Sequence, residues 1–331
     1  MIKYISTRVN MFVEYIRLLI KVLFSQHRIL SSIYYCLFSS QFGREHQSVL
    51  AGSIRFSKNV LRTEGNSILL RRNIHRLEKG IVMRPRKEVF AVSYIQETVE
   101  MYKKYKQSNS CEKNELKWIE DVLRNYFSIV ERSSVVEKQK RIFESLDEKD
   151  RSCDKVHQYI PYPESVRQRS SIETKDLDAL FCQRRSVRWF KEKDVAINLI
   201  EQAVSLASLA PSACNRQPFE FILLKNQDAV DVANFAMGTS GFSHNFRYLL
   251  VVVGDLSCFP EERDRHLIYI DGSLAAMQLL LALETQGLSS CPINWPDIEV
   301  RERTMEKALG LGHYQRPIML VAVGYADEEG G

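Results

Sequence analysis

Apolar residues recur every three or four positions through the first 150 residues, and no proline intervenes before Pro85, so this half predicts helices and little else. Between Met11 and Phe24 the apolar residues 12, 16, 19, 20, 23 and 24 share one helical face, while Glu14, Arg17 and Lys21 interrupt the stretch. A membrane-crossing helix wants about 20 predominantly apolar residues. No small-residue cleavage site follows the stretch, so neither a span nor a secretory signal is predicted. The stripe suits a helix docked on its own protein. With its basic flanks it also suits peripheral contact with a membrane. Val89, Phe90, Val92, Ile95, Val99 and Tyr102 predict a further helical face, and Leu116, Ile119, Val122, Leu123 and Phe127 another.

Proline and small polar residues break the periodicity from Ile160 to Ser171, which predicts a linker and a boundary between residues 1–165 and 166–331. Beyond it the pattern alternates. Asp194 is placed to cap a helix carrying Ile197, Ile200, Val204 and Ala207, ended by Pro211. Phe219–Leu224, Tyr248–Gly254 and Ile318–Val323 predict strands, the second apolar on both faces as a central strand would be. Helices are predicted near 265–286, stopped at Gly287, and near 299–309. Pro292 cannot donate a ladder hydrogen bond, so Cys291–Trp295 predicts an edge strand or a pocket lining. The second half is therefore α+β, a mixed sheet flanked by helices, behind a mostly α-helical first half.

Composition narrows the class. At 331 residues, 45% hydrophobic and 26% charged, the chain can build real cores, and 9 Pro with 14 Gly exclude collagen-like and low-complexity classes. The net charge of +5 hides an asymmetry: residues 1–90 carry 16 Lys/Arg against 5 Asp/Glu, the rest 30 against 36. Seven widely spaced cysteines without a CxxC, and seven scattered histidines, predict neither a disulfide framework nor a metal site. A reducing, cytoplasmic compartment is the simplest setting, at a membrane surface if the N-terminal helix lies on one.

Three segments can carry chemistry. In Arg184-Arg-Ser-Val-Arg-Trp-Phe190, an extended backbone sets Arg184, Ser186 and Arg188 on one side, a phosphate clamp of two guanidiniums and a hydroxyl, or else a plain solvated basic surface. Ala210-Pro-Ser-Ala-Cys-Asn-Arg-Gln-Pro-Phe219 can present Asn215 and Gln217 to the edge of a heterocycle, or be a turn capped by its own polar side chains. The third is Gly287-Leu-Ser-Ser-Cys-Pro-Ile-Asn-Trp295.

In this order the three segments resemble the nitroreductase family of flavin-dependent oxidoreductases, over about Leu177 to Ala326. The resemblance implies an FMN-binding core, with Arg184, Ser186 and Arg188 on the FMN phosphate and Arg185 close by. It implies Pro211, Ser212, Asn215 and Gln217 along the flavin, and Pro292, Ile293 and Asn294 beside its reactive face. It also implies a homodimer built on the helix that begins near Asp271. Trp295, where a small residue is common, is expected to narrow the face open to substrate. Gly324-Tyr-Ala-Asp327 matches a further family element, after which relatives carry another basic phosphate ligand that is expected to be lacking here. Leu70–Gly80 and Met83–Arg86 resemble the extension of nitroreductase-like proteins found alongside bacterial surface-polysaccharide genes.

The function so implied is hydride transfer from NADH or NADPH through FMN to a small-molecule acceptor by ping-pong turnover. The flavin carries the chemistry, and no catalytic side chain is needed. Two alternatives stand beside it: flavin-dependent oxidation of a peptide or sugar intermediate, and a non-catalytic, membrane-associated scaffold on the same core. Arg72, Arg76 and Lys79 form a basic stripe at helical spacing, but nothing matches a nucleic-acid-binding module, and nucleic acid is not expected as a partner.

Overall fold

The computed structural model describes residues 2–62, 67–109, 111–131, 133–146 and 159–328; Cys153 and much of the charge-rich stretch before the predicted linker lie outside them. Its first half is helical: α1 (Ile2–Ser25), α2 (Arg28–Leu37), α3 (Gly43–Arg62), α4 (Ser67–Val82), α5 (Ile95–Lys106), α6 (Lys113–Ile129) and α7 (Ser134–Leu146). α4 to α7 bury one core from Leu70, Ile74, Val99, Tyr102, Leu123 and Phe143, among others. Two expectations fail here. Val89 and Val92 precede α5, because Ala91 takes a φ of 64°, which no helix accommodates. The apolar stripe of α1 is not docked on the body: Phe12, Ile16, Leu19 and Leu23 are exposed, and Phe24 packs on α2 against Tyr34 and Phe38.

The second half runs α8 (Thr174–Gln183), α9 (Ile197–Ala207), β1 (Phe219–Lys225), α10 (Asn226–Ala233), β2 (Tyr248–Asp255), α11 (Leu267–Thr285), β3 (Ser289–Asn294), α12 (Glu299–Leu309) and β4 (Gln315–Gly324). The four strands form one antiparallel sheet in the order β1-β2-β4-β3. Strand alternation sends Leu250, Val252, Val321 and Val323 to the face covered by α9 and α11. It sends Leu249, Val251, Val253, Leu320 and Ala322 to the opposite face, under α10 and α12. β3 is the edge that Pro292 predicts, and Pro317, in the central β4, sits where the register with β2 slips, the one place such a strand tolerates a missing donor. Asp194 caps nothing. Its carboxylate accepts from Arg247 at 2.7 Å and from the Tyr248 hydroxyl, and α9 starts after Ala196 instead.

The two halves are joined by close contact. A Cβ on Gly52 of α3 would stand 2.8 Å from the Leu256 carbonyl, so only glycine lets α3 lie this near the loop after β2. Arg44 of α3 is buried and reaches Glu306 of α12 at 2.6 Å. Beside it, Glu302 and Arg316 form a fully buried pair at 2.9 Å.

Candidate functional site

The arginine segment runs outside β3. Ser186 pairs with Ser290 as a parallel bridge, and the Val187 N–H donates to the Ser290 carbonyl at 3.1 Å. Val187 and Phe190 enter the core, which turns Ser186 and Arg188 outward, while Arg184 follows the last turn of α8. Asn245 fixes this geometry: its Oδ1 accepts from the Phe190 N–H at 2.9 Å and its Nδ2 donates to the Arg188 carbonyl at 3.0 Å. Sequence reading missed Asn245, since a lone Asn in a turn carries no signal of what it will clamp.

Among the described residues, none of Arg184, Arg185 and Arg188 pairs with a carboxylate. Their few polar contacts are with backbone carbonyls of the segment itself. Arg188 also lies 6.0 Å from the Phe242 ring. The Ser290 hydroxyl beside them is buried with no hydrogen-bond partner. Guanidiniums without counter-ions next to an unsatisfied buried hydroxyl are what a phosphate group would satisfy.

The turn before β1 is strained. Cys214, Asn215 and Gln217 take φ values of 55°, 51° and 48°, a conformation that costs a non-glycine residue on the order of 1 kcal/mol or more and concentrates at functional sites. Its shape is held from three sides. The Ala213 N–H donates to Asp271 of α11 at 2.9 Å, and the Gln217 N–H to the Ser212 hydroxyl at 3.0 Å. From α4, Arg71 donates to the Arg216 carbonyl at 3.3 Å. Burial raises the Asp271 carboxyl above its ordinary value, opposed by the Ala213 hydrogen bond and by Arg216. Gln217's amide itself serves the turn, donating to the Ser208 carbonyl at 2.8 Å and accepting from Arg71. Asn215 is half-buried and, among the described residues, its amide forms no hydrogen bond; Pro211 is exposed.

On β3, Pro292 and Asn294 lie on the sheet face of Val321 and Met319, Pro292 half-buried and Asn294 exposed, whereas Ile293 enters the core on the opposite face. Trp295 corrects an expectation. It is buried with its Nε1 donating to Glu302, and it packs in the core instead of standing over an open face.

Ser186 stands with β3, but the turn leads into β1. Four strand spacings of about 4.8 Å, roughly 19 Å, therefore separate them across the sheet. They also sit at opposite ends of it: through the ladders Ser290 aligns with Val323, Tyr248 and Lys225, while the turn adjoins Phe219. One chain brings the arginines together with Pro292 and Asn294, and leaves Ser212, Asn215 and Gln217 apart from them.

Residues 182–239 and 241–325 match the nitroreductase family. A protein of Archaeoglobus fulgidus named NADH dehydrogenase/NAD(P)H nitroreductase is 28% identical over 44% of this chain and 83% of its own. An iodotyrosine deiodinase of Haliscomenobacter hydrossis is 25% identical over 51% of this chain and 89% of its own. A solved FMN-dependent nitroreductase of Clostridium difficile aligns at 22% identity over 45% of this chain and 87% of its own, with a TM-score of 0.41. In this part of the chain, residues 182–239 and 241–325, the sequence is therefore similar to the nitroreductase family.

Proposed function

We propose that this protein is an FMN-dependent NAD(P)H oxidoreductase working as a homodimer. The observation that carries the reading is the set of three arginines without carboxylate partners beside the unsatisfied Ser290 hydroxyl, inside the region that matches the family. FMN held there would supply the redox chemistry, hydride transfer between NADH or NADPH and a small-molecule acceptor in ping-pong turnover. The chain's own residues position it. Arg184, Arg185 and Arg188 neutralise the phosphate, Ser186 and Ser290 offer hydroxyls, and the free amide of Asn215 meets a polar edge of the ring.

The roughly 19 Å across the sheet between the arginine segment and the turn favours two chains per site, each lending its turn to the other's arginines. A surface suited to that pairing exists: Ile270, Leu274 and Met277 stand exposed along one side of α11. The test is direct. Freshly purified protein is expected to show flavin absorbance near 370 and 450 nm and to oxidise NADH or NADPH with a quinone or nitroaromatic acceptor. A colourless protein that cannot be reconstituted with FMN refutes the reading.

We infer in addition that α1 and α2 lie on an anionic membrane surface at its cytoplasmic side. Their exposed apolar residues, Phe12, Ile16, Leu19 and Leu23 with Ile29 and Leu37, are interspersed with Arg17, Lys21 and Arg28. That combination adds apolar burial to about 1 kcal/mol per basic residue at an anionic surface. Co-flotation of the full chain with phosphatidylglycerol vesicles, abolished in Phe12→Glu/Leu23→Glu, is the expected result, and equal flotation of both proteins defeats the inference.

A further inference from the structure

Arg216 lies in the turn, but its side chain takes no part in holding it. The residue is 6% exposed, its Nε is buried with no hydrogen-bond partner, and among the described residues it forms no ion pair. Its guanidinium rests 4.9 Å from the Phe259 ring, a contact that supplies little of what a buried cation requires. A second cation makes matters worse. Burial depresses the Arg216 pKa first of all, and Arg72 of α4 adds to the depression. Arg72 is itself half-buried and, among the described residues, has no bonded partner, whereas its neighbour Arg71 is neutralised by Glu115. Asp264 and Asp271 are near enough to be felt at Arg216, yet neither bonds to it.

We propose that Arg72 and Arg216 form an anion-binding site, built jointly by the helical extension and the turn, that takes a phosphate or carboxylate group of a molecule reacting at the flavin. A buried guanidinium with an unbonded donor, in a turn that α4 reaches through the Arg71 next to Arg72, is stabilised by an anion that bonds to it. The position suits a reactant more than a structural ion. Arg216 is flanked by Asn215 and Gln217, so an anion held here is tethered to the turn that meets the ring. The assignment of the anion to a reactant rests on the flavin reading above; the existence of the site does not.

The test uses the full chain loaded with FMN, so that the 184–188 segment is occupied, and inorganic phosphate as probe. Saturable binding followed by 31P line broadening is expected, weakened about tenfold or more in Arg72→Gln and in Arg216→Gln, the loss of one charge-assisted hydrogen bond. Arg216→Lys, which keeps the charge, is expected to retain part of the binding and guards against a folding defect in the glutamine variant. With a neutral quinone as acceptor, a KM in Arg72→Gln raised for NADPH alone places the 2′-phosphate at the site, and one raised for both nicotinamides places the diphosphate. Unchanged KM values with weakened phosphate binding place the acceptor's anion there. Phosphate binding that is absent from wild type, or equal in wild type and both glutamine variants, overturns the site. Colourless protein that still binds phosphate through Arg72 and Arg216 keeps the site and removes the flavin reading instead.

Discussion

Arg71 grips Glu115 at two points, Nε to Oε1 at 2.6 Å and Nη2 to Oε2 at 2.7 Å, and its remaining nitrogen donates to the backbone carbonyl of Arg216. One guanidinium thus ties α4 to α6 and both to the turn before β1. The helical first half is therefore part of the wall of the candidate site.

This pair makes stability depend on acid. Burial alone would push the Glu115 carboxyl up, but Arg71, with help from Tyr105, holds it below its ordinary 4.5. A folded value below the unfolded one contributes stability that is complete above pH 4.5 and is lost as pH falls through the folded value. Urea unfolding of wild type is expected to weaken with acid in this window, and Glu115→Gln to be less stable at neutral pH with a flatter profile below it. A Glu115→Gln profile parallel to wild type would show that the pair contributes nothing to the pH dependence.

Tyr105 donates to the same carboxylate at 2.9 Å, and burial together with the nearby Glu115 charge pushes its phenol up to about 12. Spectrophotometric titration is expected to leave this tyrosine un-ionised until strongly alkaline pH, and Tyr105→Phe should lower the amplitude of the late component by one tyrosine, the remainder including Tyr126, which burial also pushes up. A late component of unchanged amplitude in Tyr105→Phe would show that Tyr105 ionises earlier.

The proposed arginine clamp predicts flavin loss. If Arg184 and Arg188 hold the FMN phosphate, replacing either by Ala removes a charge-assisted contact worth about 1.5–3 kcal/mol, which corresponds to roughly ten- to a hundredfold weaker FMN binding. Asn245→Ala, which releases the Arg188 and Phe190 backbone, should weaken retention less. Fluorescence titration of apoprotein with FMN measures all three. Wild-type affinity in both arginine variants would move the phosphate elsewhere.

Arg316 and Glu302 are both almost fully buried and bonded at 2.9 Å. Arg316→Met takes from the buried Glu302 its bonded cation, leaving Arg44 at 3.8 Å and the Trp295 N–H, and is expected to cost about 3–5 kcal/mol, while Arg316→Met/Glu302→Leu should recover part of that loss. Guanidinium unfolding of the single and double variants decides it, and a double variant no more stable than the single contradicts the account.

Leu274 stands exposed on α11 between Ile270 and Met277, one helical turn from each. If this stripe joins two copies, Leu274→Glu is expected to give monomers in sedimentation velocity and, because each site then lacks the partner's turn, to shed FMN. A monomeric variant that keeps its flavin would show that one chain suffices.

Much of this was written in local pattern. Period-3.6 spacing pointed to a helical first half, though not to the break at Ala91; continuous apolar runs marked the strands β2 and β4, with β2 as a central one, and Pro292 kept β3 from the centre of the sheet, because each rests on backbone chemistry within a few residues. The candidate site was legible as three short segments whose residue types suit phosphate and amide recognition. Their separation was not. That Ser186 lies beyond β3 while Asn215 adjoins β1 follows from the strand order β1-β2-β4-β3, which long-range packing selects and no local spacing encodes. The same holds for the surroundings of single side chains. Trp295 went into the core because Glu302 offered its indole an acceptor, and Gln217 was taken up by the turn. Arg71 and Arg216, two members of an ordinary basic run and an ordinary turn, became a brace and a buried unpaired cation only when α4 was laid against the residues before β1. Sequence determined which groups were available; the tertiary structure decided which were already satisfied and which were left open to a ligand.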